Sequence, residues 1–246
     1  MNLPLSLDGL ASSRDPLLLL RQGTQTAHEA VESIPAMRRL FAADYSIDEY
    51  RRLLLALWPF LHALEADLLS AGQHDRIRAS VSRAGALHRD LLALGEPQAS
   101  LPPPKLAHAV PIACESERAG VLYVLEGSAL GGQLIRRALL QRFGAEAGNW
   151  CQYFDCHSGN AGRRWRAYGQ ALREHPTIDT GMLVAAAQLT FQRFGERLGK
   201  LPATGPLPLR VAKPAPPASA CPFARARQLF GRVDSLGERL RQWWRT

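Results

Sequence analysis

Cysteine pairs are missing from this sequence: Cys114, Cys151, Cys156 and Cys221 are its four thiols in 246 residues, and none stands in C-x-x-C spacing. A disulfide scaffold is thereby excluded, and reduced thiols are expected. Cys151-x4-Cys156-His157 lacks the second ligand pair of a structural zinc site. The apolar run Pro16-Leu17-Leu18-Leu19-Leu20 falls far short of the ~20 residues that span a bilayer. Asp8, Arg14 and Asp15 before it are near-balanced in charge, unlike the basic start of a secretory signal, so a cytoplasmic protein is expected. Also absent are internal repeats, any sustained period-2 alternation of the kind strands need, and H-E-x-x-H or E-x-x-H pairs for a zinc or di-iron site.

The net charge of +8 is unevenly spread. From residue 201 onward there are 8 Lys/Arg and 2 Asp/Glu, which leaves the first 200 residues at only +2. A nearly neutral body argues against nucleic acid as a partner.

What is present is apolar content, 46% of the chain, recurring at helical spacing through most of the first 200 residues. An all-α fold follows, with one compact multi-helix bundle over residues 1–200. A first helix runs from Pro16, well placed in a first turn, to about Ser33 before Pro35. A second follows Ser46-Ile47-Asp48-Glu49, whose Ser46 and Glu49 fit a capping box, and reaches about Ser70. Further helices are expected over about 73–94, 115–143, 161–174 and 178–198, with Pro102-Pro103-Pro104 in a loop. Seven of the 17 prolines lie between Pro202 and Pro222, so residues 201–222 form a semi-rigid linker. Residues 223–246 repeat apolar positions (Phe223, Ala226, Phe230, Val233, Leu236, Leu240) between arginines, as a basic amphipathic helix does. Such a helix packs back onto the body or docks on a partner or a membrane surface.

Two stretches of the body carry chemistry. In the first helix His28 and Glu32 are four residues apart, hence neighbours on one face, and Thr24 and Arg21 extend that face one and two turns back. A neutral imidazole can ligate a metal through one nitrogen while a carboxylate or bridging water holds the other N–H. A plain surface pair, worth roughly 0.2–0.5 kcal/mol, explains the same spacing. The second stretch is YVLEGSALGGQLIRR, residues 123–137, where Gly127, Gly131 and Gly132 each cost a helix interior roughly 1 kcal/mol relative to Ala. Gly127 and Gly131 stack one above the other, so this bare strip admits either another helix at close range or a flat ligand. Together the two helices offer what a planar iron porphyrin needs, an axial ligand on one face and room on the other. Arg21 is then a candidate partner for the propionates.

LRQGTQTAHEAVE and YVLEGSALGGQLIRR resemble the proximal and distal helices of haem oxygenases, and the resemblance covers about residues 15–200. It implies His28 as the axial iron ligand, Glu32 as its outer partner, and Arg21, Thr24, Arg166 and Phe191 as further haem-binding residues. Arg163 and Phe194 are weaker candidates of the same kind. Gly127, Ser128, Gly131 and Gly132 would form the catalytic face. The implied reaction takes haem b as both cofactor and substrate, with O2 and with electrons from ferredoxin or a reductase, to biliverdin, carbon monoxide and ferrous iron. Animal-type members carry an Asp after the first distal glycine, where this chain has Ser128. The wording VLEGSALGG is similar to the bacterial branch, including members associated with bacteriophytochromes, which would accept the biliverdin. A haem carrier or sensor without turnover is the alternative that Ser128 motivates.

Overall fold

The computed structural model describes residues 15–70, 83–97, 101, 109–155 and 159–201. The start of the helix expected from residue 73, the triple proline, Cys156-His157, Cys221, the linker and the C-terminal helix lie outside the described residues. Those described form α1 (Pro16–Ser33), α2 (Pro35–Arg39), α3 (Ile47–Ser70), α4 (Arg83–Ala93), α5 (Glu115–Phe143), α6 (Ala161–Arg173) and α7 (Thr180–Leu198). Two short 3-10 helices, Ala145–Asn149 and Gln152–Asp155, follow α5. No strand occurs among the described residues, as the missing period-2 pattern predicts.

Local chemistry sets the helix ends. Asp15 accepts the Leu17 N–H at 3.0 Å and Pro16 occupies the first turn of α1. Ile34 is extended, as the residue before a proline tends to be, and α1 stops there. Pro35 then opens α2, a helix not expected from the sequence, where Pro35 marks only an end. The capping box forms at α3: Ser46 Oγ accepts the Glu49 N–H at 3.2 Å and Glu49 Oε2 accepts the Ser46 N–H at 2.9 Å. Glu49 also accepts from Arg39 at 2.8 Å, and that guanidinium holds its carboxyl down at about 2.

α3 is long and apolar enough to cross a membrane by composition, yet Leu53, Leu54, Leu57, Phe60, Leu61 and Leu64 are all buried in the bundle. It is a core helix. α7 lies against both α1 and α5 and so supports the two stretches singled out above. Glycines set the approach. A Cβ on Gly23 of α1 would come within 2.5 Å of Val184, and one on Gly120 of α5 would strike the Leu183 carbonyl oxygen. Between α5 and α6 the buried Glu126 carboxylate is forked by Arg164, with bonds of 2.7 and 3.1 Å. The 3-10 helix Gln152–Asp155 is clamped by Asp90 of α4, whose two oxygens accept the Gln152 and Tyr153 N–H groups at 2.8 and 2.7 Å. Asp90 is fully buried, and burial pushes its pKa up to about 6.

Candidate functional site

Residues from α1, α2, α3, α4, α5, α7 and the second 3-10 helix line a cavity of about 420 Å³, within the usual size range of cofactor sites. Its α1 wall carries His28. Burial pushes the His28 pKa down to about 4, against an opposing pull from Glu29, so the ring is neutral at pH 7 and keeps a nitrogen lone pair for a metal. Phe191 meets the ring edge-on, with centroids 5.5 Å apart and planes at 87°, which fixes its tilt. Glu32 Oε2 lies 3.8 Å from Nδ1, beyond a direct hydrogen bond and within reach of one bridging water.

The α5 wall divides its glycines between two tasks. Gly127 and Gly131 border the cavity, where they present backbone without a side chain. Gly132 also borders it, but its Cβ would press to 3.3 Å on Phe154, so this glycine lets the 3-10 helix close on α5. Close packing is thus the reason for one glycine of the strip, while the other two stand on the cavity wall. Ser128 turns its hydroxyl back to the Leu125 carbonyl at 2.9 Å.

Of the remaining residues expected at the site, Thr24, Arg21, Arg163 and Arg166 fall outside the cavity wall. Thr24 is a correction: it is fully buried, its hydroxyl donates to the Leu20 carbonyl at 2.7 Å, and its oxygen pairs with the Tyr123 hydroxyl at 3.4 Å. Four residues back along a helix is about 40° round it, enough to turn Thr24 toward α5 instead of the cavity. Arg21 stands roughly 10 Å along the axis from His28, half-buried and beyond the lining residues. Arg166 and Arg163 are exposed on α6 and do not line the cavity either. Phe194 does.

Residues not anticipated include Arg38 of α2, Phe154 of the 3-10 helix and Arg83 of α4, all lining the cavity. Arg38 follows Pro35 in a stretch too short for periodicity to register. Phe154 and Arg83 arrive through tertiary packing. His62 and His88 instead flank Trp58, at 5.3 and 5.1 Å, away from the cavity.

A planar macrocycle fits this arrangement. Among the described residues no three His, Cys, Asp or Glu side chains converge, so His28 is a single donor. It suits a metal whose other ligands come from the macrocycle itself. The backbone of Gly127 and Gly131 and the apolar Leu53, Leu57, Phe191 and Phe194 on the cavity wall suit a flat apolar body.

Comparisons with known proteins agree. A family model described as Heme oxygenase matches residues 17–199. A curated heme oxygenase of Xanthomonas campestris pv. campestris (strain 8004) is 34% identical over 115 residues, 46% of this chain, and the match spans 64% of that relative's length. Among solved structures, the heme oxygenase from Leptospira interrogans superposes with a TM-score of 0.60 at 17% identity, covering 76% of this chain and 100% of that one. Heme oxygenase-1 from the cyanobacterium Synechocystis sp. PCC6803, solved in complex with heme, gives 0.58 at 16% identity, covering 75% and 90%. At such identities the two structures speak for the fold, while the family match takes in both the His28 helix and the glycine strip: the chain is a member of the heme oxygenase family.

Proposed function

We propose that this protein binds haem in the cavity between α1 and α5 and opens it oxidatively to biliverdin, carbon monoxide and ferrous iron, drawing electrons from a ferredoxin or a reductase. The observation that carries the proposal is the neutral, half-buried His28 on the wall of the same cavity that Gly127 and Gly131 border. Bound haem would supply the iron at which O2 is reduced and the ring that is oxidised. His28 would hold the iron as a neutral donor, with its ring kept in place by Phe191 and, through water, by Glu32. Gly127 and Gly131, on the cavity wall, would let a ligand lie near the helix backbone. The apolar lining from α3 and α7 excludes water from the macrocycle faces. Arg38 stands at the cavity as a propionate partner, a role for which Arg21 is less well placed.

The second reading, a haem carrier or sensor, is favoured by one observation: the neutral Ser128 where animal-type members have an acid. Adding hemin to the purified protein tests both, since a stoichiometric Soret shift that is lost in His28→Ala is expected from either. Supplying ferredoxin and its reductase, or ascorbate, under oxygen separates them. Loss of the Soret band with growth of biliverdin absorption supports the enzyme; a persisting Soret band refutes it. A cytoplasmic location and transfer of the product to a bacteriophytochrome belong to the same proposal and rest on the reading of the sequence.

A further inference from the structure

Two sulfur atoms meet where α5 and α7 begin. Cys114 immediately precedes α5 and Met182 is the third residue of α7, and Cys114 Sγ lies 4.0 Å from Met182 Sδ. Solvent reaches both: the free Cys114 is half-buried and Met182 is 41% exposed. Neither residue lines the cavity described above.

The backbone on both sides is pinned. Glu117 Oε2 accepts the Ala113 and Cys114 N–H groups at 2.6 and 3.3 Å, which fixes the start of α5. Asp179 Oδ1 accepts the Met182 N–H at 2.9 Å, and the Asp179 N–H donates to Ser116 Oγ at 2.9 Å, which ties the start of α7 to that of α5. Bonds that neither sulfur makes thus hold the two donors side by side, as a preorganised site requires.

Sulfur chemistry selects the ligand. A thiol is a weak hydrogen-bond donor and a thioether a weak acceptor, so the bare contact contributes little. Two metal–sulfur bonds of roughly 2.3 Å span up to about 4.6 Å, so one ion fits between the two atoms with a bent S–metal–S angle and no backbone movement. Thiolate with thioether is a soft donor pair of the kind that takes Cu(I). Structural Zn(II) wants four ligands, and among the described residues no three His, Cys, Asp or Glu side chains converge to supply them. On binding, the Cys114 S–H proton leaves to solvent and the thiolate charge balances that of the monovalent ion.

We propose that Cys114 and Met182 form a surface site for one Cu(I) ion. The test uses the full chain without haem, carrying Cys156→Ser and Cys221→Ser so that Cys114 and the buried Cys151 are its remaining thiols. Cu(I), kept reduced by ascorbate, is titrated against a chromophoric Cu(I) chelator. One ion is expected to bind. Cys114→Ser, which keeps a helix-capping side chain, should abolish that binding, and Met182→Leu, which keeps the volume and removes the sulfur, should weaken it roughly tenfold. Ag(I), a soft monovalent ion without redox chemistry here, should shift one of the three methionine methyl NMR signals, the one missing in Met182→Leu, and Zn(II) at the same concentration should leave it in place. Unchanged Cu(I) affinity in either variant overturns the proposal, and so does a Met182 methyl signal that Ag(I) does not move or that Zn(II) moves equally. The haem reading stands or falls independently, since no step of this test involves haem.

Discussion

At Gly120 an added methyl group would strike the Leu183 carbonyl, whereas further along the same helix Gly131 stands on the wall of the cavity. Gly120 and Gly132 are glycines because a neighbour has taken the space. Gly127 and Gly131 border the cavity. Residue type is the same at all four positions, and what lies beyond the absent side chain differs. A missing side chain thus has two physical meanings in one helix, and substitution tells them apart.

The largest effect is expected at the occupied positions. Gly120→Ala should destabilise the fold by about 3 kcal/mol, the upper end for overpacking, because backbone atoms cannot swing aside. A lowered urea midpoint checks this; an unchanged one would break the distinction between the two kinds of glycine. Next comes the clamp that keeps the 3-10 helix against Gly132. Asp90 has a folded pKa raised from 3.8 to about 6 by burial, so its contribution is fully present below about pH 3.8 and is lost as pH rises through about 6. Asp90→Asn removes that titration and also sets an amide N–H against one of the two backbone donors. The variant should therefore be less stable than wild type at both pH values, with a deficit at pH 4 larger than at pH 7 by roughly 2–3 kcal/mol. Unfolding curves at the two pH values decide.

The positions on the cavity wall should respond in the opposite sense. Gly131→Ala is expected to raise the stability of the ligand-free protein by up to about 1 kcal/mol through helix propensity while weakening hemin binding about tenfold. If hemin affinity is unchanged, the strip is not a ligand face. The smallest effect separates two arginines: Arg38→Ala should weaken hemin binding a few-fold, by about 0.5–1 kcal/mol, and Arg21→Ala less. A Soret titration of both variants against wild type measures this, and the reverse order would restore Arg21 as the principal propionate partner.

Most of the frame was legible in the sequence, because its signals are local. Pro16 marks the start of α1, Ser46 and Glu49 cap α3, and α5 ends at Gly144, whose φ of 81° suits glycine. His28 and the glycine strip were legible for the same reason, as spacing within single helices. Legibility failed where position depends on what a helix meets. Thr24 has the right spacing from His28 yet faces Tyr123, because α5 lies on that side of α1. Arg83 reaches Ser128 across 45 positions of sequence, a contact no local pattern announces. The 3-10 helix that brings Phe154 to Gly132 is held by Asp90, more than sixty residues earlier, through backbone N–H groups that leave no trace in residue type.

A helix with a bare strip has a mechanical weakness that its neighbours must make good. Side chains normally key a helix against rotation about its own axis, and Gly127 and Gly131 have none to contribute. Glu126, about 100° round the helix from Gly127, supplies the key: its carboxylate is gripped at two points by Arg164, so rolling α5 in either direction would stretch one bond of the fork. The Glu126–Arg164 pair thereby indexes the orientation of α5 and decides which stripe of the helix the cavity sees.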